Sequence, residues 1–354
     1  MAAGEKLVSL PRTGQTFSYA TGDDATIRKG IPWPGARFND NADGTVSDSL
    51  TGLTWLKDAG CLRSENWFNA LTETSQLASG SCGLTDGSTA GQWRMPDIGE
   101  LESLVDASAS HPAVSAGNPF MNIADTYWSS TTYRGVTTNA WVIRFTDGRY
   151  INDSIGNSKP TSNNGVWAIR SSGVDGAISL PATGQFMPYA DGDDATLLKG
   201  VHMTYPRFID NGNGTVADTV TGLIWMKKAD CIHSDWWNAI SAIHNLGDGH
   251  CGLSDGSTSG QWRMPNRAEL LSLGDRAETN QSLRFNTVFY NKDGSVDQPA
   301  VFDSFLSSEY LWTSTTDAAF PTFAWTLYSC DYGVYDILKT NSGYSLAVRD
   351  QNSQ

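Results

Sequence analysis

The chain has 354 residues, which is enough for two domains of ordinary size, each with a hydrophobic core of its own. Lys and Arg together number 24 and Asp and Glu 38, so the formal net charge is −14. This charge disfavours nucleic acid and anionic membrane as partners. No stretch approaches the roughly 18 consecutive apolar residues that a membrane-spanning helix needs, so we expect no membrane span.

The choice of residues favours a chain rich in turns and strands. There are 30 Asp but only 8 Glu, and Asp favours turns and helix caps whereas Glu favours helix interiors. The 35 glycines point the same way. The 13 Trp, 12 Tyr and 13 Phe argue against a disordered chain, because aromatic side chains in such numbers imply a packed core.

A long internal repeat divides the chain into two copies. The stretch 37–55 returns 170 positions later at 207–225. The offset is 169 at Cys82 and Cys251, and it becomes 184 at Trp128 and Trp312. A repeat of this length indicates a duplicated domain rather than a solenoid. We therefore predict domains at residues 5–171 and 179–350, a linker at 172–178, and an insertion in the second copy near 286–305.

The predicted elements follow the same order in both copies. In the first copy, residues 37–55 are typical of a β-hairpin with its turn at Asp43-Gly44. A first short helix is predicted to begin at Ser64, and a second at a capping box opened by Asp97. Short aromatic strands follow from Trp128 onward. Two short helices and twisted antiparallel β-hairpins in each copy predict the α+β fold class. The counterparts in the second copy are 207–225, Asn213-Gly214, Ser234, Asn266 and Trp312.

Four of the five cysteines recur at matching places, Cys61 and Cys82 in the first copy and Cys231 and Cys251 in the second. We predict one disulfide in each copy, Cys61–Cys82 and Cys231–Cys251, each contributing about 3 kcal/mol to stability. Such bonds place the protein outside the reducing cytosol. The first four residues lack the apolar core of a signal peptide, so we expect a leader to have been removed.

No catalytic or metal-binding pattern repeats in both copies. The five histidines have no counterparts, so neither a metal site nor a cofactor is expected. Some acidic residues do repeat, but they lie in turns or helix caps, where a structural role is the simpler interpretation. They are Asp48 and Asp218, Asp86 and Asp255, and Glu100 and Glu269. The sequence therefore predicts a protein that is not an enzyme.

The repeated motifs resemble a known family. They are RFxDNxxGTVxDxxTGLxW at 37–55 and 207–225; GQWRMPxxxEL at 91–101 and 260–270; and the boxes that begin at Trp128 and Trp312. In these respects the chain resembles the bacterial secreted domain family of undefined function that includes the C-terminal domain of the collagen-like adhesin Lcl. The resemblance implies two tandem C-type-lectin-like domains, secretion, and attachment to glycans or surfaces.

The sequence departs from two expectations that accompany this resemblance. The Glu-Pro-Asn and Trp-Asn-Asp motifs of calcium-dependent animal lectins are not found, so sugar binding through calcium is not expected. The Lcl domain is similar to proteins that bind sulfated glycosaminoglycans, and a net charge of −14 does not suit such a ligand.

Folds of this kind bind ligands through late loops on a rigid frame, and the two copies differ most in those loops. Their Tyr, Asn and Asp side chains form adaptable contact surfaces. The same aromatic residues could instead pack against a neighbouring subunit. The candidate ligand-binding residues are Tyr133, Arg134, Arg149, Tyr150, Asn152, Asp153, Tyr328, Asp331, Tyr332, Tyr335, Asn341 and Tyr344.

We therefore predict an extracellular or surface-associated binding protein that attaches to a glycan or another surface ligand. Two alternatives stay open. The first is a structural subunit whose tandem domains associate with copies of themselves into an extracellular filament. The second is an enzyme of the formylglycine-generating type, which Cys330 disfavours because it has no partner cysteine in the same late loops.

Overall fold

The computed structural model describes residues 8–151, 157–202, 206–276, 289–290, 296–298, 301–303 and 308–351. The chain forms two compact units: unit I consists of Ile31–Val201, and unit II of Met1–Gly30 together with His202–Gln354. Two equivalent stretches of the repeat, 170 positions apart in the sequence, therefore belong to different units. We call residues 8–30 the N-terminal segment, which contains helix α1 (Asp24–Ile27) and belongs to unit II. Its copy in unit I, residues 178–200, is the linking segment.

Most of the regular elements of unit I are short strands. They are β1 (Phe38–Asp40), β2 (Thr45–Asp48), β3 (Leu53–Leu56), β4 (Leu62–Glu65), β5 (Thr126–Thr132), β6 (Ala140–Arg144), β7 (Arg149–Ile151), β8 (Asn164–Val166) and β9 (Ile169–Ser171). Its helices are α2 (Trp67–Gln76), α3 (Ile98–Glu102) and α4 (Asp194–Leu197), the last within the linking segment. The predicted hairpin is the pair β1–β2, where the side chain of Asp43 caps the turn by accepting hydrogen bonds from Thr45.

Unit II repeats this order in its own residues. Its strands are β10 (Phe208–Asp210), β11 (Thr215–Asp218), β12 (Leu223–Met226), β13 (His233–Ser234), β14 (Phe289–Tyr290), β15 (Val296–Gln298), β16 (Tyr310–Thr316), β17 (Phe323–Tyr328), β18 (Val334–Leu338), β19 (Gly343–Tyr344) and β20 (Val348–Asp350). Its further helices are α5 (Trp236–His244) and α6 (Arg267–Ser272). Of the predicted insertion near 286–305, the structure describes the antiparallel pair β14–β15 and residues 301–303.

Apart from the separate pair β14–β15 of unit II, the strands of each unit form one four-stranded and one five-stranded sheet among the described residues. In unit I the orders are β1-β2-β3-β9 and β4-β8-β5-β6-β7, and in unit II β10-β11-β12-β20 and β13-β19-β16-β17-β18. Neighbouring strands are antiparallel except for the pairs β5–β8 and β16–β19. The last strand of each repeat, β9 or β20, returns to pair with β3 or β12 of the first hairpin.

The expected fold class, two α+β C-type-lectin-like domains, is wrong. The two short helices expected in each copy are present, but only 12% of the structure is helical, and small sheets of the kind found in the blades of a β-propeller carry the architecture. The physical reason is that the repeated motifs determine local features, such as hairpin turns, capping boxes and buried ion pairs. These features are compatible with more than one arrangement of sheets.

The first helix of each copy begins later than expected. The N-cap of α2 is Asn66 rather than Ser64, and the N-cap of α5 is Asp235 rather than Ser234. Ser64 instead lies within strand β4, and Ser234 ends strand β13. The second helices do begin with the predicted capping boxes, opened by Asp97 and Asn266.

Buried tryptophans and one disulfide hold each unit together. The buried indole N–H of Trp67 donates to the Ser129 carbonyl and that of Trp236 to the Thr313 carbonyl, both at 2.8 Å, which attaches each first helix to the long strand of its unit. The predicted disulfides Cys61–Cys82 and Cys231–Cys251 are confirmed. Cys330 is a half-buried free cysteine.

Candidate functional site

The repeated acidic residues of the first hairpin serve the fold. In unit I the carboxylate of Asp48 accepts two hydrogen bonds of 3.0 Å from the buried guanidinium of Arg37, which also donates to the Ser103 carbonyl. In unit II, Asp218 accepts from Arg207 at 3.0 and 2.8 Å. Each pair is buried and joins the hairpin to the end of the second helix.

The other repeated acidic residues are also bound to arginines. Glu100 closes the capping box of α3 and accepts from Arg94, and Glu269 does the same with Arg263 in α6. The buried Asp86 forms an ion pair with Arg170 at 3.1 Å, and in unit II the corresponding pair is Asp255 and Arg349. These carboxylates are part of the frame that both units share.

In unit I the predicted late-loop tyrosines are buried. Tyr133 and Tyr150 both pack against Trp141, at ring distances of 5.1 and 6.0 Å. They expose 7% and 3% of their surface, so a ligand cannot reach them without a local opening. Arg149 forms an ion pair with Asp147 at 3.4 Å. Asn152 and Asp153 lie outside the described residues.

Arg134, another predicted ligand contact, instead contacts the linking segment. Its guanidinium donates to the Tyr189 hydroxyl at 2.6 Å and lies over the ring of Phe186 at 5.6 Å. Arg134 therefore helps to attach that segment to unit I.

In unit II the structure brings several predicted residues together. Tyr328 lies 4.7 Å from Tyr310 and 6.2 Å from Tyr335 between ring centres, and the Tyr335 hydroxyl donates to Asp331 at 2.9 Å. These rings are half-buried. We call Tyr310, Tyr328 and Tyr335 the tyrosine cluster. Sequence reasoning missed Tyr310, which begins strand β16 rather than lying in a loop.

The remaining predicted residues of unit II lie apart from one another. Tyr332 is 1% exposed; its hydroxyl donates to the Leu271 carbonyl, and Arg276 lies 3.9 Å from its ring centre. It is therefore a core residue. Tyr344 stacks on His233 at 4.3 Å, and Asn341 is an exposed turn residue.

Two buried lysines hold the segments against the unit bodies. In unit II, Lys339 donates to the Thr316 hydroxyl at 2.8 Å and lies between the rings of Trp236 and Tyr19, at 3.9 and 4.9 Å. Burial lowers the pKa of Lys339 to about 8. Lys159 occupies the same position in unit I, between Trp67 and Tyr189, and burial lowers its pKa to about 8 as well.

Both lysines stand in the sequence, but Lys339 follows Lys159 by 180 positions, and this offset matches the offset of the repeat neither before nor after the insertion. Lys159 is 2% exposed, so it contributes no positive charge to the surface of unit I.

Each segment also inserts a buried aspartate into its unit. Asp24 accepts hydrogen bonds from Thr13 at 2.6 Å and from Thr315 of strand β16 at 2.7 Å. Burial raises the pKa of Asp24 to about 6, although both hydroxyl hydrogen bonds lower it. In unit I, Asp194 accepts from Thr183 and Thr131, both at 2.7 Å, and burial again raises the pKa to about 6.

An open groove of about 720 Å³ lies between the N-terminal segment and the body of unit II. One wall is the segment, from Ala20 to Lys29, and the other is helix α5, where Trp237 is 44% exposed. Polar groups of His244, Gln261 and Asp350 line the remainder. Burial raises the pKa of Asp350, but its ion pairs with Lys29 and Arg263 outweigh burial and hold that pKa below its usual range.

Unit I has a groove at the same place, with a volume of about 360 Å³. It is lined by the linking segment, helix α2 and the equivalent Gly91–Met95 stretch. Sequence reasoning did not find either groove, because each forms only when a segment packs on the body of another repeat. The N-terminal segment packs on the body of the second repeat, and the linking segment, which begins the second repeat, packs on the body of the first.

Neither a metal cluster nor a membrane helix is found among the described residues. In that part of the chain, no three His, Cys, Asp or Glu side chains gather closely enough to hold a metal ion. None of its helices is sufficiently long and apolar to cross a bilayer.

The comparisons with known proteins identify the family. No curated protein matches the chain. The model of the Lcl C-terminal domain matches twice, at residues 44–170 and 214–349, which together span well over half of the sequence. The two matches begin at the hairpin turns, at residues 44 and 214, and cover the rest of each hairpin motif and both late strand regions that carried the sequence resemblance. The chain belongs to the Lcl C-terminal domain family, of which it contains two tandem copies.

Proposed function

We propose that the chain is an extracellular, non-catalytic binding protein that holds a neutral glycan in the groove of unit II. The observation that carries this proposal is Trp237, a large aromatic ring left 44% exposed on the wall of a groove of about 720 Å³. The family and the two disulfides support a place outside the cell.

The lining of the groove suits a sugar. An exposed indole offers an apolar face for a pyranose ring, and binding sites combine such faces with a few well-placed polar groups. Here His244, Gln261 and Asp350 supply those groups. Asp350, whose pKa lies below its usual range, is ionised at neutral pH and accepts hydrogen bonds from sugar hydroxyls in this proposal.

A sulfated or otherwise anionic glycan suits the groove less well. The positive side chains of the groove already form ion pairs with carboxylates: Lys29 with Asp350, Arg263 with Glu269, and Arg349 with Asp255. The net charge of −14 also repels an anionic polymer.

The absence of catalysis is part of the same proposal. The acidic residues that occur in both copies are held in ion pairs and helix caps, which leaves them no evident role as acid or base. Cys330 is half-buried, and a formylglycine-type site would need a second cysteine from outside the late loops of unit II.

The experiment is a neutral-glycan array followed by calorimetry on the best ligand, with three variants. Trp237→Ala is expected to weaken binding about tenfold, which corresponds to about 1.4 kcal/mol. Phe68→Ala is the matched control, because Phe68 occupies the equivalent position in unit I and is also 44% exposed. Tyr328→Ala tests the late loops. If only Tyr328→Ala weakens binding, the ligand lies at the tyrosine cluster and the groove proposal is wrong.

A specific observation also favours a structural role as the second candidate. The N-terminal segment completes unit II although its own repeat forms unit I. An element exchanged in this way is a common route to self-association.

A further inference from the structure

We propose that the N-terminal segment of one chain also binds the unit II body of a second copy, so that chains join head to tail. The surface is the strip of unit II formed by Thr315, Thr316 and Lys339. The partner is residues 8–30 of another molecule of the same chain. This interaction is independent of the glycan proposed for the groove.

The first argument is that the segment and its copy make the same contacts. The side-chain amide of Gln15 donates to the Thr316 carbonyl at 2.7 Å, and that of Gln185 donates to the Thr132 carbonyl at 3.0 Å. The aspartate bonds and the lysine between two rings also match. The N–H of Val8 donates to the Val220 carbonyl as that of Ile178 does to the Leu50 carbonyl, both at 2.9 Å.

The second argument concerns how each segment is attached. The linking segment follows strand β9 of the body on which it packs, with residues 172–177 between them. The N-terminal segment continues directly into unit I, and all of Ile31–Val201 separates it from the body of unit II. Its attachment to unit II is therefore mainly noncovalent, and an identical segment from another copy satisfies the same hydrogen bonds.

The balance between the two forms depends on concentration. Within one chain the segment binds at an effective concentration on the order of millimolar, so the closed monomer is favoured in dilute solution. When protein is concentrated at a surface, binding between chains competes. Each chain gives one segment and receives one, which is a heterologous contact, and contacts of this kind produce open linear assemblies or rings.

The ion pair between Lys29 and Asp350 allows a direct test on the full chain. It joins the segment to the last strand of unit II, and a carbodiimide converts such a pair into an amide without a spacer. Heavy- and light-isotope chains are denatured together with their disulfides intact and refolded at increasing concentration. Monomers and assemblies are then separated by size and coupled, and the joined peptides are identified by mass spectrometry. The pair Lys57 and Asp40, both within the body of unit I, is the internal control.

In the assemblies from an equal mixture, we expect half of the Lys29–Asp350 conjugates to combine a heavy and a light peptide, because donor and acceptor chains are then drawn at random. Monomers are expected to contain no Lys29–Asp350 conjugates of mixed label, and the Lys57–Asp40 conjugates are expected to carry a single label in both fractions. Conjugates of a single label throughout the assemblies would overturn the proposal. So would the absence of assemblies up to millimolar protein, or of the Lys29–Asp350 conjugate from both fractions.

A matched pair of variants gives a second measurement by light scattering. Gln15→Ala removes both hydrogen bonds to the Thr316 backbone, from the closed monomer and from the assembly alike. We therefore expect the share of assembly at equilibrium to stay nearly unchanged and exchange between the two forms to become several-fold faster. Gln185→Ala removes the equivalent contact within unit I and is expected to leave both the share and the rate unchanged. Equal acceleration in both variants would mean that general destabilisation, not release of the segment, controls exchange.

Discussion

The grooves of the two units share a frame and differ in the side chains that surround it. In both, a segment packs beside the first helix, and an arginine from the last strand lies over a buried tryptophan: Arg349 over Trp262 at 5.2 Å, and Arg170 over Trp93 at 5.3 Å. Yet the groove of unit II has a volume of about 720 Å³ and that of unit I about 360 Å³. The duplication has kept the parts that hold a segment in place, while the edges of the groove have diverged.

Three of the differences between the grooves give unit II a larger or more polar side chain. Unit II has Trp237, His244 and Asp350 where unit I has Phe68, Ser75 and Ser171. The substitutions in unit II provide an indole, an imidazole and a carboxylate, which recognise polar ligands better than their counterparts do. A comparison of the two units therefore separates residues that maintain the fold from residues that are free to acquire a function.

The largest expected effect tests whether the two frames are equivalent. Asp48→Ala in unit I and Asp218→Ala in unit II each leave a buried guanidinium without its carboxylate. Removing one partner of a buried pair typically costs about 3–5 kcal/mol of unfolding free energy. We expect similar losses for the two variants in urea titrations followed by tryptophan fluorescence.

Double variants serve as the control for this prediction. Replacing both partners with apolar residues, as in Arg37→Met with Asp48→Leu, should recover much of the loss, because no buried charge is then left alone. If only one unit is sensitive to loss of its aspartate, the two frames are not energetically equivalent.

The next effect distinguishes the segments by pH. Asp24 has a pKa of about 6 in the folded chain against a reference value of 3.8, so the folded state binds more protons between these values. The free energy of unfolding therefore falls as pH rises through this window, by up to about 3 kcal/mol. In Asp24→Asn this component is absent, so the stability of the variant relative to the wild type should increase between pH 4 and pH 7.

Asp194→Asn is the matched variant, and burial raises the pKa of Asp194 to about 6 as well. Denaturation at several pH values measures both. If neither substitution changes the pH profile, the two carboxyls are not protonated within the segments, and their burial is less complete than the structure indicates.

How much of the fold could be predicted from the sequence depends on how far apart in the chain the interacting residues lie. The hairpin turn at Asp43, the capping boxes at Asp97 and Asn266, and both disulfides are local or duplicated features, and the sequence predicted them. The arrangement of sheets, the exchange of segments between repeats and the burial of Tyr332 depend on contacts between residues far apart. Gln15 and Thr316, for example, are separated by 301 positions, and no spacing rule connects them.

The groove of unit II was not predicted from the sequence for the same reason. Divergent late loops with many tyrosines are typical of binding surfaces, but divergence also arises where a core is repacked, as around Trp141 in unit I. Trp237 has no distinctive sequence signal, because it is one of several apolar residues in helix α5. Only the packing of the N-terminal segment beside α5 leaves it on the wall of a groove.

The smallest effect tests the edge where the units differ. Lys29 and Asp350 form an ion pair with both side chains about two-fifths exposed, whereas Ser171 occupies the position of Asp350 in unit I. Lys29→Met should therefore cost at most about 1 kcal/mol, less at high salt, and Lys199→Met close to nothing. NMR titration offers a sharper measurement, because Lys29 contributes to the lowered pKa of Asp350, and that pKa should rise in Lys29→Met. An unchanged pKa would mean that Arg263, not Lys29, holds the pKa of Asp350 below its usual range, and the polar edge of the larger groove would then belong to the body of unit II rather than to the segment that covers it.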